Sequence, residues 1–320
     1  MNLRLPRFPC APLVYGIVLG ALAVGFAFAL PAYSRFIFGE FAVLVIITLG
    51  VNLLLGVAGL LSLASPAFVG IGANLSTAIM LRAHVPIAIS IPISVLAGWC
   101  IGWAVGFLSL RLAGFYLAMV TFGFLDVFLV VLNEGGDITG GGYGLIVPPT
   151  SLPLLGNLSV DKIIAIAAFT AGVAIMLVRE LQRSRIGRAW LAIKDAPVAA
   201  QMQGIDVPKL KTLAFAVSSA LATLAGTYQA LLLGVTNPSA YSLNVSVAHL
   251  TYVVVGGMAA SVVGPVIGPL LLFVIPEVFR AIGQYREVFY GTILLLVLVI
   301  APNGITGTIA GFAQRARLRS

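Results

Sequence analysis

Apolar residues run along this chain in long blocks separated by short polar breaks. Ten blocks fall near residues 11–31, 36–56, 62–81, 86–108, 113–132, 161–179, 211–233, 245–260, 263–281 and 287–304. A run of about 20 apolar residues is what an α-helix needs to cross the hydrocarbon layer of a bilayer. The pattern therefore predicts an all-α polytopic membrane helix bundle of about ten transmembrane helices, with residues 1–320 forming a single transmembrane domain. The blocks at 245–260 and 263–281 are short. The stretch "GGMAASVVGPVIGP" that joins them holds too much Gly and Pro for an unbroken helix, so they are either two crossings or one hairpin dipping into the bilayer.

Composition agrees with that class. Hydrophobic residues make up 60% of the chain and charged residues 9%, against about 25% charged in a soluble domain. The charge of +8 is first a topology signal in such a chain, and no nucleic-acid partner follows from it. With ten crossings and both termini in the cytoplasm, 13 of the 18 Lys and Arg lie on the inner side, and only Arg35, Arg82, Lys162, Arg280 and Arg286 lie outside. Nine crossings would put the basic tail "RARLRS" outside, against the positive-inside bias. The first block, from Ala11 to Leu30, exceeds the 7–15 residues of a signal-peptide core, so it is expected to stay as the first helix although "AFA" at 27–29 resembles a cleavage site. Cys10 and Cys100 lie far apart, without disulfide or metal-ligand spacing.

One segment stands out against the apolar background. Residues 184–215, "SRIGRAWLAIKDAPVAAQMQGIDVPKLKTLAF", belong to the only long cytoplasmic loop, at about 180–210, and seven basic residues lie between 179 and 211. Within it "DAPVAAQMQG" reads as a short helix: Asp195 as N-cap, Pro197 in the first turn where its missing N–H costs nothing, and Gly204 as the stop. Ala196, Ala199 and Ala200 are small enough for close approach by another protein, and Val198 and Met202 add apolar surface. The competing reading is a helix lying on membrane lipid, its cations at the headgroups.

Five stretches in order carry a resemblance. They are "NLLLGVAGLLSLASPAFVGIGA" at 52–73, "GFYLAMVTFGFLD" at 114–126, "TGGGYGL" at 139–145, "GRAWLAIKDAPVAAQMQGIDVPKLKTLAFAVSSALATLAG" at 187–226 and "VVVGGMAASVVGPVIGPLLLFVIPEVFR" at 253–280. From about residue 50 to 310 the chain resembles the LivM-type permease subunits of the branched-chain amino acid ABC transporter family. The resemblance implies an importer permease of the bacterial inner membrane. It would work with a second permease, two cytoplasmic ATPase subunits that hold ATP and Mg, and a periplasmic solute-binding protein, and would bind no cofactor itself. It also implies that the loop matching 187–204 is the coupling helix seated in the ATPase, which assigns Gly187, Arg188, Asp195, Ala196, Pro197, Ala199, Ala200 and Gly204 to coupling. The chain departs from the family at Ala64 and Ser65, where Gly-His is common, and in "GGMAASVVGP", where "GGLGSLWGP" is common. Both departures bear on which solute is carried.

Candidate pathway residues follow from the cost of polar groups in hydrocarbon. Asp126 sits near the middle of its block, where an ionised carboxylate costs several kcal/mol unless paired or hydrated. Ser62, Ser65 and Pro66, and likewise Gly257, Gly264 and Pro265, interrupt apolar runs with the composition of discontinuous helices; close packing through small residues is the alternative. Outside, Glu134, Asp137 and Tyr143 in "NEGGDITGGGYGL" are candidates for docking the binding protein, where Gly140 to Gly142 would otherwise only form turns. No GxxxxGK[ST] phosphate loop occurs, His84 and His249 stand alone, and no nucleophile signature is present, so the chain by itself is not expected to be an enzyme. The other class of function is a stand-alone ion-coupled secondary transporter of a small polar solute. It would need several intramembrane ionisable groups, of which the sequence offers Asp126 and, second to it, His249.

Overall fold

The computed structural model describes residues 10–109, 114–136, 139–149, 151–152, 156–258, 261–274, 277, 291–292, 295 and 304–308. Their helices follow the apolar blocks closely. Helices α1 (Cys10–Ala29), α2 (Ala32–Asn52), α3 (Ser65–Arg82), α4 (Ile87–Leu108), α5 (Phe115–Glu134) and α6 (Val160–Arg183) lead to an elbow of α7 (Arg185–Asp195) and α8 (Pro197–Met202). Then come α9 (Val207–Leu233), α10 (Leu243–Gly256) and α11 (Gly264–Pro269). One π-turn, Leu53–Val57, extends α2, and another, Leu270–Val274, extends α11. Nine of the ten predicted blocks thus carry a described helix, while most of the block at 287–304 lies outside the described residues. Among the described residues five helices, α2 with its π-turn, α4, α5, α6 and α9, are long and apolar enough to cross a membrane. The chain is a multi-pass membrane protein.

Helix α9 is the central post, and small residues set how closely its neighbours approach. On α4 the buried positions after the first turn are Ser90, Ser94, Gly98, Gly102 and Gly106, one every four residues, which places them in one line along the helix. That line lies on Phe215, Ser219 and Thr223 of α9, which repeat the same step: a Cβ on Gly98 would overlap Thr223, and one on Gly102 would overlap Ser219. Helix α3 locks onto α9 in the same way. Gly72 leaves no room for a Cβ beside Thr223, nor Gly226 beside Val69, and Thr227 Oγ1 donates to Gly72 O at 3.2 Å. In lipid there is little hydrophobic drive between helices, so backbone approach of this kind supplies the packing energy. The far side of α4 exposes Ile89, Ile93, Leu96, Trp103 and Phe107, the surface of a helix that is apolar all round.

Hydroxyls buried in these helices are satisfied locally. Thr223 Oγ1 donates to Ser219 O at 2.7 Å, Ser94 to Ser90 O at 2.9 Å and Thr77 to Ala73 O at 2.7 Å. The back-bond to the preceding turn lets a polar side chain sit where no water can reach it. Two interruptions break the helical ladder. Residues 58–64 separate the π-turn of α2 from α3, and 257–258 and 261–263 lie between α10 and α11; each following helix opens with Pro in its first turn, Pro66 and Pro265. Helices α10 and α11 pack against each other, with Gly268 against Tyr252 O and Gly264 against Gly256. At the end opposite the elbow, strand β1 (Leu145–Ile146) pairs antiparallel with β4 (Val235–Thr236), while β2 (Ser151–Leu152) and β3 (Gly156–Asn157) form a small hairpin.

Candidate functional site

The elbow is built from its buried anchors outward. Ser184 caps α7, its Oγ accepting from the N–H of Ile186 at 3.2 Å and Gly187 at 3.3 Å. Gly187 is pressed against Gln182 O, where a Cβ would not fit. Arg188 turns back to donate to Arg183 O at 2.8 Å. Trp190 is fully buried and its Nε1 donates to Leu210 O at 2.7 Å, which pins α7 to the first turn of α9. Asp206 caps α9, accepting from the N–H of Lys209 at 3.2 Å. Hydrogen bonds from Lys209, with its charge, hold the Asp206 carboxyl below the ordinary carboxylate range.

The short helix forms over Pro197–Met202, and its ends need one correction. Asp195 does not cap it: α7 runs on through Asp195, and the N-cap is Ala196, which offers no side-chain acceptor. The stop at Gly204 forms as expected. Gly204 has φ +79°, its N–H reaches Gln201 O at 3.0 Å, and the next N–H, of Ile205, reaches Ala200 O at 3.2 Å. That pair of bonds is the glycine-terminated helix end which consumes the last free carbonyls. Ala199 and Ala200 point different ways. Ala200 is 3% exposed and packs into the chain's own core, whereas Pro197, Val198, Ala199 and Met202 are exposed, Val198 at 68% and Met202 at 84%. The small side chain at 200 seats the helix on the protein, and the outward apolar surface is that of Val198 and Met202.

The first interruption gathers polar groups that lie far apart in sequence. Leu63 N–H donates to Thr121 Oγ1 of α5 at 2.9 Å, and Leu63 O accepts from Ser246 Oγ of α10 at 2.8 Å. Ser62 Oγ accepts from Ala64 N–H at 3.3 Å, and Ser65 Oγ lies 3.2 Å from Nδ1 of His249, itself only 3% exposed. Non-helical backbone at membrane depth has to be satisfied by protein in this way. Beside it Ser62, Ser65, Ser218 and Ser219 share a cavity of about 10 Å³ with Val51, Leu54, Leu60 and Phe215. That is about the smallest space that holds one water.

The second interruption lies against α2 as well. Thr48 Oγ1 donates to Pro265 O at 2.7 Å, and Asn52 Nδ2 to Ser261 O at 3.3 Å. Gly256 and Gly257 meet the last described segment, where Thr306 Oγ1 donates to Gly256 O at 2.8 Å. Ser62 and Ser65 thus share a cavity with Val51 and Leu54 at the end of α2, Pro265 is bonded to Thr48 on the same helix, and Gly264 lies against Gly257. Asp126 is not brought to either interruption. It is exposed on α5 and makes no hydrogen bond or ion pair among the described residues, on a stripe that also carries Met119, Gly123, Val127 and Val130.

At the opposite end Glu134 closes α5 and is exposed, Asp137 lies outside the described residues, and Tyr143 is 97% exposed in a short 3₁₀ turn, Gly141–Tyr143. Gly144 follows at φ +74°, where a Cβ would overlap Thr236 O, so this turn is pressed onto β4 by a glycine. Ile146, beside it on β1, is 76% exposed.

Four groups escape a reading of the sequence. Thr121 and Ser246 are ordinary hydroxyls whose value comes from the carbonyl and amide they meet. Lys194, counted there only as a topological charge, reaches Gly56 O at 2.7 Å. Glu40, in the middle of α2, is mostly buried with Oε1 unpartnered among the described residues, a second intramembrane carboxylate that the apolar block around it hides.

Comparison with known proteins adds to this geometry. A family described as branched-chain amino acid transport system / permease component matches residues 33–301. The high-affinity branched-chain amino acid transport system permease protein LivM of Salmonella typhimurium is 28% identical over 315 residues, covering 90% of this chain and 73% of that protein. The corresponding permease protein LivH of the same organism is 30% identical over 190 residues, 59% of this chain and 58% of LivH. The ribose import permease protein RbsC of Haemophilus influenzae is 28% identical over 233 residues, covering 70% and 71%. No solved structure matches.

Proposed function

The chain belongs to the family of branched-chain amino acid transport system permease components, and we propose that it forms, with a second related permease, the membrane path for a branched-chain or related amino acid. It is the permease subunit of an ABC importer and not an enzyme by itself. In this reading two ATPase subunits on separate chains hold ATP and Mg, and a periplasmic binding protein delivers the solute. One relative is named for ribose import, so the fold alone does not fix the solute.

The observation that carries the reading is the elbow. A six-residue helix with Val198 and Met202 bare, seated by buried Ala200 and tied to α9 through Trp190, is a stiff knob of the kind that rigid-body coupling requires. Gly187, Arg188, Asp195 and Gly204 shape the turns around it. Seven Lys and Arg lie at its end of the described chain against Arg35, Arg82 and Lys162 at the other, which supports a cytoplasmic elbow in the bacterial inner membrane.

The stripe of α5 that bears Asp126 fits the second permease or the aqueous path between the two, because a carboxylate facing hydrocarbon is too costly. Tyr143 and Glu134, with Asp137, fit the docking of the binding protein at the far end. The test is to reconstitute both permeases, the ATPases and the binding protein in vesicles and measure ATP hydrolysis with leucine, valine, other amino acids and ribose. Stimulation by branched-chain amino acids is expected, and stimulation by ribose alone would overturn the choice of solute. Solute uptake without any ATPase would overturn the importer arrangement.

A further inference from the structure

Lys194 makes a hydrogen bond by which the elbow reaches the end of α2, just ahead of the first interruption. Lys194, in the last turn of α7, sends Nζ 2.7 Å to Gly56 O in the π-turn that ends α2. A helix end leaves its last carbonyls without intrahelical partners. Here Leu53 O is taken by Ala58 N–H at 3.0 Å and Leu54 O by Leu60 N–H at 2.8 Å, and the lysine ammonium takes Gly56 O. A cation at this place also meets the negative end of the helix dipole. Gly59 makes room for it: the residue has φ +70°, and a Cβ there would lie 2.8 Å from Cγ of Lys194. Only glycine accepts both that backbone turn and the lysine stem.

The bond ends between residues that line the serine-lined cavity. Leu54 and Leu55 precede Gly56, Leu60 and Ser62 follow it, and all four line that space. We propose that Lys194 is a positioning residue for transport, tying α7 to the end of α2 so that a displacement of the elbow becomes a displacement of residues 58–64 and sets the width of the cavity. The proposal rests on the reading of α7–α8 as the ATPase contact. A lysine that merely trimmed the surface would contribute little, because an exposed pair is screened and mobile. Lys194 is itself exposed, but its Nζ donates to the carbonyl of buried Gly56, two residues before the unwound stretch begins.

The test uses the assembled complex with Cys10→Ser and Cys100→Ser, in which Ser62→Cys reports opening through its labelling by a small thiol reagent. The reading is the ratio of labelling with ATP-trapped and nucleotide-free ATPase. Lys194→Met is expected to keep its ATPase subunits and basal hydrolysis while this ratio and solute-stimulated hydrolysis fall by about 5- to 150-fold, the span of typical coupling energies. Lys194→Arg, which still donates from a cation, restores both. A Lys194→Met complex with unchanged ratio and transport overturns the proposal, as does one that has lost its ATPases, since Lys194 would then serve docking. The double variant Val198→Glu, Met202→Glu separates the two readings. If it retains ATPases and stimulation, the elbow is not the contact; if it loses them while Lys194→Met behaves as wild type, only the lysine link fails.

Discussion

Adding one methyl group at Gly102 tests the close seam between α4 and α9. Its Cβ would overlap Ser219 Oγ, stand 2.5 Å from Ser219 Cβ and 3.1 Å from Phe215 O, where carbon atoms prefer about 3.5–4.0 Å. The helices must part locally by about 1 Å, and a gap of that size forfeits roughly a quarter to a half of each contact across it. Overpacking of this kind costs about 1–3 kcal/mol. Gly→Ala also favours any helix by about 1 kcal/mol, so the cost is read against a control. Gly123→Ala on α5 brings the same propensity gain, and its Cβ meets nothing within 4 Å. The difference between the two variants isolates the overpacking. At about 2–4 °C for each kcal/mol, Gly102→Ala should unfold roughly 2–12 °C below Gly123→Ala when the purified chain is heated in detergent. Ser219→Gly, which removes both overlapping atoms, should recover part of the loss when combined with Gly102→Ala. If the two alanine variants melt within a degree of each other, the seam is not as tight as described.

Trp190→Phe leaves Leu210 O buried without its donor, a loss of about 1–3 kcal/mol, and should lower the melting temperature of the purified chain and speed hydrogen exchange in the first turn of α9. Asp126→Asn should leave the permease inserted and assembled but slow transport in the reconstituted importer; unchanged kinetics would remove this carboxylate from the path. Asp206 has a folded pKa below its unfolded one, so its contribution is present above the unfolded pKa and is lost as pH falls through the folded value. Protection of the Lys209 amide, its exchange rate relative to that of an unstructured peptide at the same pH, should therefore fall on acidification, and Asp206→Ala should show the low protection at every pH; a protection factor in the native chain that shows no such acid step would refute the cap.

The helices were legible because a crossing has to be apolar along its whole length, and their boundaries mostly fall within a few residues of the apolar blocks. The short helix was legible through Pro197 and Gly204, each of which has a backbone reason to stand at its end. Asp195 misled because a good capping residue one position early looks the same in sequence as a cap, and only the path of α7 decides. The small-residue line Ser90, Ser94, Gly98, Gly102, Gly106 was present in the sequence at a step of four, but its meaning depends on the matching step in α9 more than 100 residues later. The meeting of Ser65 with His249, or of Leu145 with Thr236, has no local signature at all. Such pairs follow from how the crossings are arranged around α9, and no single apolar block contains that arrangement.

The α4–α9 seam also says where this molecule can give. Helices that leave no space for a methyl group can neither slide past one another nor rotate without lifting apart, and α3 is fastened to the same post by Gly72 and Gly226. These three helices therefore travel as one plank. Compliance is left to the parts that the plank does not hold: α5, which touches it lightly, the α10–α11 hairpin, and the unwound residues 58–64 that lead into α3. A force arriving through α7 enters the plank at Leu210 and the end of α2 at Gly56. One point of entry is on the plank and the other is on α2, outside it, so the strain between them falls on the seven unwound residues that join α2 to α3.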